Sequence, residues 1–253
     1  MNVRIYLTGR VGLEVDGELV VRERDFRGRQ ERAIFAYLVS ERGRPVTRDE
    51  LAEVIWPGAM PPAWQTGLSA IVSRLRSLFA RKELAALSAS ISRGFGQYRL
   101  FLPADTWVDI EAAAHAIDAA EGALRADDPK GAFGPATVAA TIAQRPFLSG
   151  DDGAWASLQR DKLQRQRVRA LECLAKVWLA NGEPALALEA SADALALDPF
   201  RESSHQLLMR AHASAGNPAE AVKAYHHLRE LLSAELGTDP SSETEALYLE
   251  LLG

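Results

Sequence analysis

The stretch PAWQTGLSAIVSRLRSLFAR, residues 62–81, decides the fold of the first half of this chain. Its apolar residues recur at helical spacing and form one stripe, made of Trp64, Leu68, Ile71, Val72, Leu75, Leu78 and Phe79. The opposite face has Thr66, Ala70, Ser73 and Ser77 at its centre and Ser69, Arg74, Arg76 and Arg81 on its flanks. The spacing predicts an amphipathic helix with an apolar side for the core and a small, polar, basic side outside.

The polar side of this predicted helix lacks carboxylates. No Asp or Glu occurs between Glu53 and Glu83, although 25% of the chain is charged. Short side chains flanked by arginines let a helix approach a polyanion closely, so we interpret it as a DNA recognition helix. The side chains predicted to reach base edges are Gln65, Thr66, Ser69, Ala70 and Ser73, and those predicted to contact phosphates are Arg74, Arg76 and Arg81. The alternative is a buried amphipathic helix whose arginines are merely solvated, and the flanking sequence favours the first interpretation.

The segments before this helix predict a small sheet and two further helices. Residues 3–21 alternate apolar with other residues, and Asp16-Gly17 is suited to the positive φ angles of a tight hairpin turn. Residues 28–40 have the apolar spacing of a first helix. Thr47 and Glu50 form a capping box that begins a second helix, which Pro57-Gly58 ends.

Residues 90–100, SISRGFGQYRL, predict two short strands around a glycine-bearing tip. Arg93 and Gln97 flank this tip, and an arginine between small residues suits insertion into a narrow minor groove, where negative potential is concentrated. A sheet, three helices and a hairpin is the element order of a winged helix. We therefore predict an α+β winged-helix DNA-binding domain over residues 1–103.

These motifs resemble the response-regulator type of winged helix found in the Streptomyces antibiotic regulatory protein family. The resemblance rests on residues 47–51 (TRDEL), 55–57 (IWP), 73–76 (SRLR) and 96–100 (GQYRL). It implies that the helix ending in S-R-L-R enters the major groove, that the hairpin is the wing, and that the DNA site consists of direct repeats. The sequence departs from the family in two places. The recognition helix has no Arg or Lys before Arg74, and Gln97 follows Gly96 where the family usually has Tyr.

The second half of the chain, residues 104–253, is predicted to be an all-α domain of tetratricopeptide-like repeats. Helical segments are predicted for residues 110–125, 135–144, 154–181, 184–197, 202–215, 218–236 and 241–252. Six residues, Leu174, Gly182, Pro184, Ala185, Ala187 and Ala190, recur 34 positions later as Leu208, Gly216, Pro218, Ala219, Ala221 and Ala224. Because a helix pair cannot bury both faces alone, small residues at fixed positions let successive pairs stack.

The same half resembles the bacterial transcriptional activator domain that follows the winged helix in that family. The matching residues are 198–202 (DPFRE), 207–209 (LLM), 216–217 (GN), 220–221 (EA), 228–229 (LR) and 235–241 (ELGTDPS), with Tyr225, Leu247 and Tyr248. The resemblance implies a transcription factor whose helical half mediates dimerisation or contacts RNA polymerase, through a sigma factor or a core subunit. A homodimer on double-stranded DNA would favour half-sites about one helical turn, roughly 10 to 11 base pairs, apart.

The charge distribution supports this division. The net charge is -5, but residues 1–100 carry 16 Lys and Arg against 11 Asp and Glu, whereas residues 101–253 carry 13 against 23. A basic half suits nucleic acid and an acidic half suits protein contacts. The exception in the acidic half is a basic run of Arg160, Lys162, Arg165, Arg167 and Arg169, for which a solvated face, a second phosphate contact and a salt-bridged dimer surface all stay open.

No residue pattern indicates an enzyme, a metal site or a cofactor. The five histidines never occur as H-x-x-x-H or beside a paired cysteine, and Gly94-Phe95-Gly96 lacks the third glycine of a dinucleotide loop. Cys173 lies among apolar helical residues and is predicted to pack in the core. The charged, strand-like N-terminus, the single cysteine and the absence of an apolar run of about 18 residues predict a cytoplasmic protein outside the membrane.

Two other functions stay open at this stage. The helical half could be a protein-interaction scaffold, with the first domain as a winged helix that binds protein, or it could be a ligand sensor with a pocket in the repeats. The charge division and the acid-free helix argue against the scaffold, and nothing in the sequence identifies a ligand.

Overall fold

The computed structural model describes residues 2–253 and divides into two compact units. The first unit contains Met1–Ala112 and Arg145–Lys162, and the second contains Ala113–Gln144 and Leu163–Gly253. Small sheets with three main helices come first in the chain and a series of helices follows, which is the predicted α+β order with a helical repeat region. The functional boundary placed after residue 103 stays a prediction.

The first unit contains two small sheets. The strands are β1 (Val3–Tyr6), β2 (Gly12–Val15), β3 (Glu18–Val21), β4 (Val46–Thr47), β5 (Ser90–Gly94), β6 (Gln97–Phe101) and β7 (Trp107–Val108). The four-stranded sheet has the order β3-β2-β1-β7, with β7 parallel to β1, and the three-stranded sheet has the order β4-β6-β5. Asp16 and Gly17 have φ angles of 47° and 89°, which confirms the predicted turn between β2 and β3.

The helices of the first unit also follow the predicted order. They are α1 (Arg29–Ser40), α2 (Arg48–Ile55), α3 (Trp64–Phe79) and the short α4 (Lys82–Ala85). The capping box is confirmed, because the Glu50 amide donates to Thr47 Oγ1 over 3.2 Å and the Thr47 amide donates to Glu50 Oε2 over 2.8 Å. The predicted apolar stripe of α3 is buried at Leu68, Ile71, Val72, Leu75 and Phe79.

Asp109 ties the segment after β6 to the residues that follow the first strand. The segment before it forms β7, a two-residue strand that lies just after the predicted boundary at residue 103. The buried Asp109 carboxylate accepts hydrogen bonds from the Leu7 amide at 2.9 Å and from the Thr8 amide and hydroxyl at 2.8 and 2.7 Å. Burial raises the pKa of Asp109, and these donors oppose the shift. The bonds satisfy buried donors just after the end of β1.

The helical region runs from residue 109 to residue 252. Its helices are α5 (Asp109–Arg125), α6 (Pro129–Ala143), α7 (Ala154–Ala180), α8 (Pro184–Leu197), α9 (Glu202–Ser214), α10 (Pro218–Leu236) and α11 (Ser242–Leu252). Helix α6 begins before the predicted residue 135, because Asp128 accepts from the Gly131 amide and Pro129 occupies the first turn, where a proline is tolerated. In residues 2–253, no helix combines the length and the apolar character needed to cross a bilayer.

The 34-residue repeat is confirmed in three dimensions. Gly182 and Gly216 end their helices with φ angles of 75° and 76°, and a proline begins the next helix in both copies. The Glu183 amide donates to Trp178 O over 2.9 Å. The equivalent amide in the second copy, that of Asn217, donates to His212 O over the same distance. Equivalent turns therefore join α7 to α8 and α9 to α10. Helix α9 packs against both α8 and α10, and Ala187, Ala190 and Ala221 are buried.

Candidate nucleic-acid interface

The exposed side of α3 is a continuous strip of short side chains, which we call the α3 strip. It consists of Gln65, Thr66, Ala70, Ser73 and Ser77, all exposed. Ser69 lies half-buried at its margin. One face of one helix therefore brings together the five residues that the sequence predicts at base edges, with Ser69 the least accessible of them.

A close approach between α2 and α3 sets the position of the strip. Trp56 follows the last residue of α2, and a Cβ atom added at Gly67 would lie 3.3 Å from the Trp56 ring. Glycine inside a helix is unfavourable, so its presence at this contact is explained by the packing of the indole against the backbone. The first turn of α3 contains no acidic residue, which leaves the positive end of the helix dipole without a carboxylate in that turn.

Arg74 lies beside the strip and is paired with a buried carboxylate. Its Nε donates to Glu31 Oε1 on α1, and only 4% of the Glu31 side chain is exposed. The other Glu31 oxygen accepts from the Arg27 amide over 2.9 Å. Because a guanidinium carries five donors, this pairing engages part of Arg74, whose side chain keeps 36% exposure. The arginine thus has a structural role that the sequence did not indicate.

Arg76 and Arg81 are also anchored within the first unit. Arg76 Nε donates to Ile91 O over 2.9 Å and thereby fastens α3 to strand β5. Arg81 Nη1 donates to Val20 O over 2.6 Å and to Asp25 Oδ2 over 2.9 Å, and this hydrogen bond lowers the pKa of Asp25. The structure therefore places Arg76 between the helix and the hairpin, whereas Arg81 reaches toward β3. Their predicted phosphate contacts stay predictions.

The β5–β6 hairpin ends in a two-residue turn. Gly94 pairs with Gln97, so the turn consists of Phe95 and Gly96, with φ angles of 49° and 77°. Arg93 and Gln97, the two residues predicted to act at this tip, are both exposed beside it. Phe95 is fully exposed at the outermost point. The sequence pattern alone did not indicate a role for this aromatic ring, although a glycine stands on each side of it.

Charge distinguishes this part of the first unit from the rest of the chain. From residue 54 to residue 104 the only acidic residue is Glu83, while the same stretch contains Arg74, Arg76, Arg81, Lys82, Arg93 and Arg99. Helix α3 and the hairpin both lie in this stretch. An exposed surface with cations and almost no carboxylates attracts a polyanion and does not repel it at short range.

Comparison with known proteins identifies the family. The family model described as the bacterial transcriptional activator domain matches residues 108–252, which is more than half of the chain. The chain belongs to the Streptomyces antibiotic regulatory protein family. The family membership that the TRDEL, SRLR and GQYRL motifs predicted is confirmed.

The relatives of this family member carry the names of regulatory proteins. The regulatory protein AfsR of Streptomyces coelicolor is 30% identical over 223 residues, which is 88% of this chain but 22% of AfsR, so the chain spans about a fifth of that relative. The transcriptional regulatory protein MoaR1 of Mycobacterium tuberculosis is 25% identical, with 88% of this chain and 72% of MoaR1 covered. The solved structure of Mycobacterium tuberculosis EmbR, in complex with a low affinity phosphopeptide, has the same fold, with a TM-score of 0.85, 24% identity, and coverage of 99% and 65%.

The basic run on α7 of this family member has a different environment from that of α3. Arg160 donates to Phe147 O and Leu148 O at 3.0 Å, within the first unit. In the second unit, Arg169 forms a double hydrogen bond with Glu121 on α5 at 2.7 and 2.8 Å and also reaches Asp118. The two ends of the run therefore hold the fold together, and its middle residues Lys162 and Arg165 are exposed.

Four further titratable side chains of the second unit have surroundings that suit a structural role. Cys173 is buried, as predicted, and burial raises the pKa of its thiol to about 11. His205 Nε2 lies 2.9 Å from Pro199 O, and burial lowers the pKa of that imidazole. A groove of about 580 Å³ in the second unit is lined in part by Arg169 and Arg201. Arg169 is already paired with Glu121, and Arg201 with Glu172. Among residues 2–253, no group of three or more metal-ligating side chains is placed to hold a metal ion.

Proposed function

We propose that this chain is a sequence-specific, DNA-binding transcriptional activator whose first unit is a winged helix. The observation that carries the proposal is the α3 strip, an exposed helix face without a carboxylate, in a chain of the antibiotic regulatory family. The major groove of B-DNA is about 12 Å wide and admits one helix, and short side chains let that helix approach the base edges. The description of AfsR, MoaR1 and EmbR as regulators supports the same role.

The α3 strip offers chemistry for direct base readout. The Gln65 amide is suited to adenine N6 and N7, and the hydroxyls of Thr66 and Ser73 can donate to or accept from several bases. The methyl groups of Ala70 and Thr66 suit the thymine methyl group. Ser69 would reach a base edge only at the margin of the helix, because it is half-buried.

Phosphate contacts would supply most of the affinity. Arg74 and Arg76 flank the strip, and their internal hydrogen bonds hold each guanidinium in place before DNA arrives, which lowers the entropy cost of binding. The hairpin acts as the wing, with Arg93 and Gln97 at the minor groove. Each phosphate neutralised adds about -0.9 to the slope of log K against log salt.

The matched activator domain, residues 108–252, would mediate homodimerisation on DNA or contact RNA polymerase through a sigma factor or a core subunit. Its excess of acidic residues suits a protein partner better than a second DNA contact. Two copies on direct repeats would place their recognition helices about one helical turn, roughly 10 to 11 base pairs, apart. These contacts require a cytoplasmic location, where the chromosome is accessible.

Selection of bound duplexes from a random library tests the proposal directly. The selected duplex and a scrambled one are then titrated with the full chain at two salt concentrations. The proposal expects a repeated motif that binds about 10³-fold or more tightly than the scramble, with weaker binding at higher salt. Failure to bind any duplex at low salt would refute it and favour the protein-interaction scaffold or the ligand sensor. Ser233→Ala, a change at an exposed serine of α10, is the control that should leave binding unchanged.

A further inference from the structure

Phe95 is an aromatic ring held at the outermost point of the β5–β6 hairpin, and its side chain is fully exposed. Phe101 also lies in this hairpin and is 42% exposed, but the Arg99 guanidinium covers its ring at 5.2 Å from the centroid. The fold therefore partly shelters one phenylalanine of the hairpin and leaves the other entirely in water.

The backbone at Phe95 makes this exposure more informative. Its φ angle of 49° lies in the left-handed region, which a bulky residue rarely occupies. A two-residue turn with positive φ at both positions strongly prefers Asn-Gly or Asp-Gly. Phenylalanine at the first position strains the turn. Because its ring is fully exposed, burial does not compensate for this strain. An outlier of this kind points to a function outside the chain.

The neighbours of Phe95 make the tip slender and positively charged. A Cβ atom added at Gly94 would meet no other atom within 4 Å, and Gly94 has no positive φ angle, so the fold does not require glycine there. The absence of side chains on both sides of the ring leaves a blade that fits a minor groove about 6 Å wide. Arg93 flanks this blade, and no acidic residue occurs from residue 84 to residue 104.

We propose that Phe95 is a wedge that inserts between two stacked base pairs from the minor groove. The proposal rests on the DNA-binding function proposed above and adds a specific action to the wing. Apolar side chains inserted in this way unstack one base step and kink the duplex toward the major groove. Arg93 and Gln97, one on each side of the turn, would hold the backbones next to the opened step. Because TA and CA steps unstack most easily, the wedge favours such a step where the wing docks.

The test uses the full chain bound to its selected duplex. Phe95→Asn removes the ring and gives the turn its preferred residue, so this variant should fold at least as stably as the natural chain. Phe101→Ala is the matched control, since it removes a phenylalanine from the other end of the same hairpin. The first readout is the fluorescence of 2-aminopurine placed at each base step in turn. The second is the bend angle, from energy transfer between dyes at the two duplex ends.

The wedge predicts increased 2-aminopurine fluorescence at one step, and a bent duplex, with the natural chain and with Phe101→Ala. Phe95→Asn should lose both signals and bind about tenfold more weakly. The wedge is overturned, with the DNA-binding function intact, if the natural chain binds without unstacking any step. It is also overturned if Phe95→Asn unstacks and bends DNA as the natural chain does, since the ring would then serve a protein contact instead. Failure of the natural chain to bind any duplex would overturn both proposals.

Discussion

Helices α3 and α7 each carry a series of arginines, and they differ in what surrounds those arginines. Around α3 the sequence contains no acidic residue from 54 to 82, and the helix presents short side chains between its cations. On α7, Arg169 faces Glu121 and Asp118 of α5, while Glu172 of the same helix accepts from Arg201 over 3.0 Å. The two series look alike in sequence, but the first borders a face that is free of carboxylates, whereas Arg169, at the end of the second, faces carboxylates of a neighbouring helix.

The position of the carboxylates, more than the number of arginines, therefore separates a surface that suits a polyanion from a contact between helices. In α7 the ion pairs link neighbouring helices of the second unit. In α3 the pairing of Arg74 with Glu31 is directed inward, so the α3 strip stays neutral at its centre and positive at its edge. A polyanion would meet attraction at the α3 strip and partial cancellation of charge around Arg169.

The largest expected effect is on stability. Arg74→Ala should lower the free energy of unfolding by about 3 kcal/mol, because Glu31 would keep a buried charge without its partner. Arg169→Ala should cost less than about 1 kcal/mol, because Glu121 and Asp118 remain partly in water. Urea unfolding followed by circular dichroism measures both. Adding Glu31→Gln to Arg74→Ala should recover most of the loss, and equal losses for the two arginine variants would contradict the contrast.

The next effect is on DNA binding. Arg76→Ala should weaken binding to the selected duplex about tenfold and reduce the magnitude of the salt slope by about 0.9, because one phosphate contact is lost. Arg169→Ala, on the neutralised helix, should change neither quantity. Titrations at several salt concentrations measure both variants after circular dichroism has verified their folding. An unchanged slope for Arg76→Ala would remove this residue from the phosphate contacts.

A smaller effect concerns sequence preference within the α3 strip. Ser73→Ala should change the preference at one or two base positions by about 1 kcal/mol and alter the affinity for scrambled DNA less. Ser77→Ala is the matched control, because the Ser77 hydroxyl already donates to Ser73 O within the helix over 3.2 Å. Competition binding with single-base variants of the selected site measures the difference. Equal changes in the two serine variants would show that the strip does not discriminate bases at Ser73.

The smallest effect concerns the pH dependence of the contact between Glu172 of α7 and Arg201. Burial raises the pKa of Glu172, but hydrogen bonds from Arg201, Ser203 and Ser204 outweigh burial, so the pKa lies below its ordinary value of 4.5. A carboxyl with a lowered pKa stabilises the folded state above its unfolded pKa, and that contribution is lost as the pH falls through the folded value. Glu172→Gln should therefore flatten the decrease of unfolding free energy below about pH 4.5. Glu230→Gln, at an exposed position of α10, is the control, and an unaltered acid profile of Glu172→Gln would contradict the assignment.

Local spacing explains what the sequence could predict. The apolar stripe of α3, the Thr47 capping box and the 34-residue repeat each depend on residues within about one or two turns, or on a fixed period. All three occur in the structure at the predicted positions. The exposed strip followed as well, since the face opposite a buried stripe is determined once the helix period is known.

Contacts between distant residues could not be predicted in the same way. Arg74 pairs with Glu31 across 43 residues, Arg81 with Asp25 across 56, and Asp109 with Leu7 across 102. Periodicity contains no information about which charged residues meet at such separations. The role of Phe95 was missed because its exposure and its φ angle depend on the register of the hairpin, which places the turn at residues 95 and 96. The packing of Arg145–Lys162 in the first unit also depends on contacts between distant residues, so the sequence pattern did not predict it.

Asp109 and β7 place the beginning of the activator-domain match inside the sheet of the first unit. A gene recombination joining a new partner after residue 103 would remove β7 and the Asp109 carboxylate together. Strand β1 would then become an open edge whose backbone groups can pair with another copy, and the hybrid protein would be prone to aggregate. A recombination point after Ala112 would keep both β7 and the Asp109 carboxylate with the first unit. Any separation of this chain into two fragments therefore has to leave residues 107–109 with the first one.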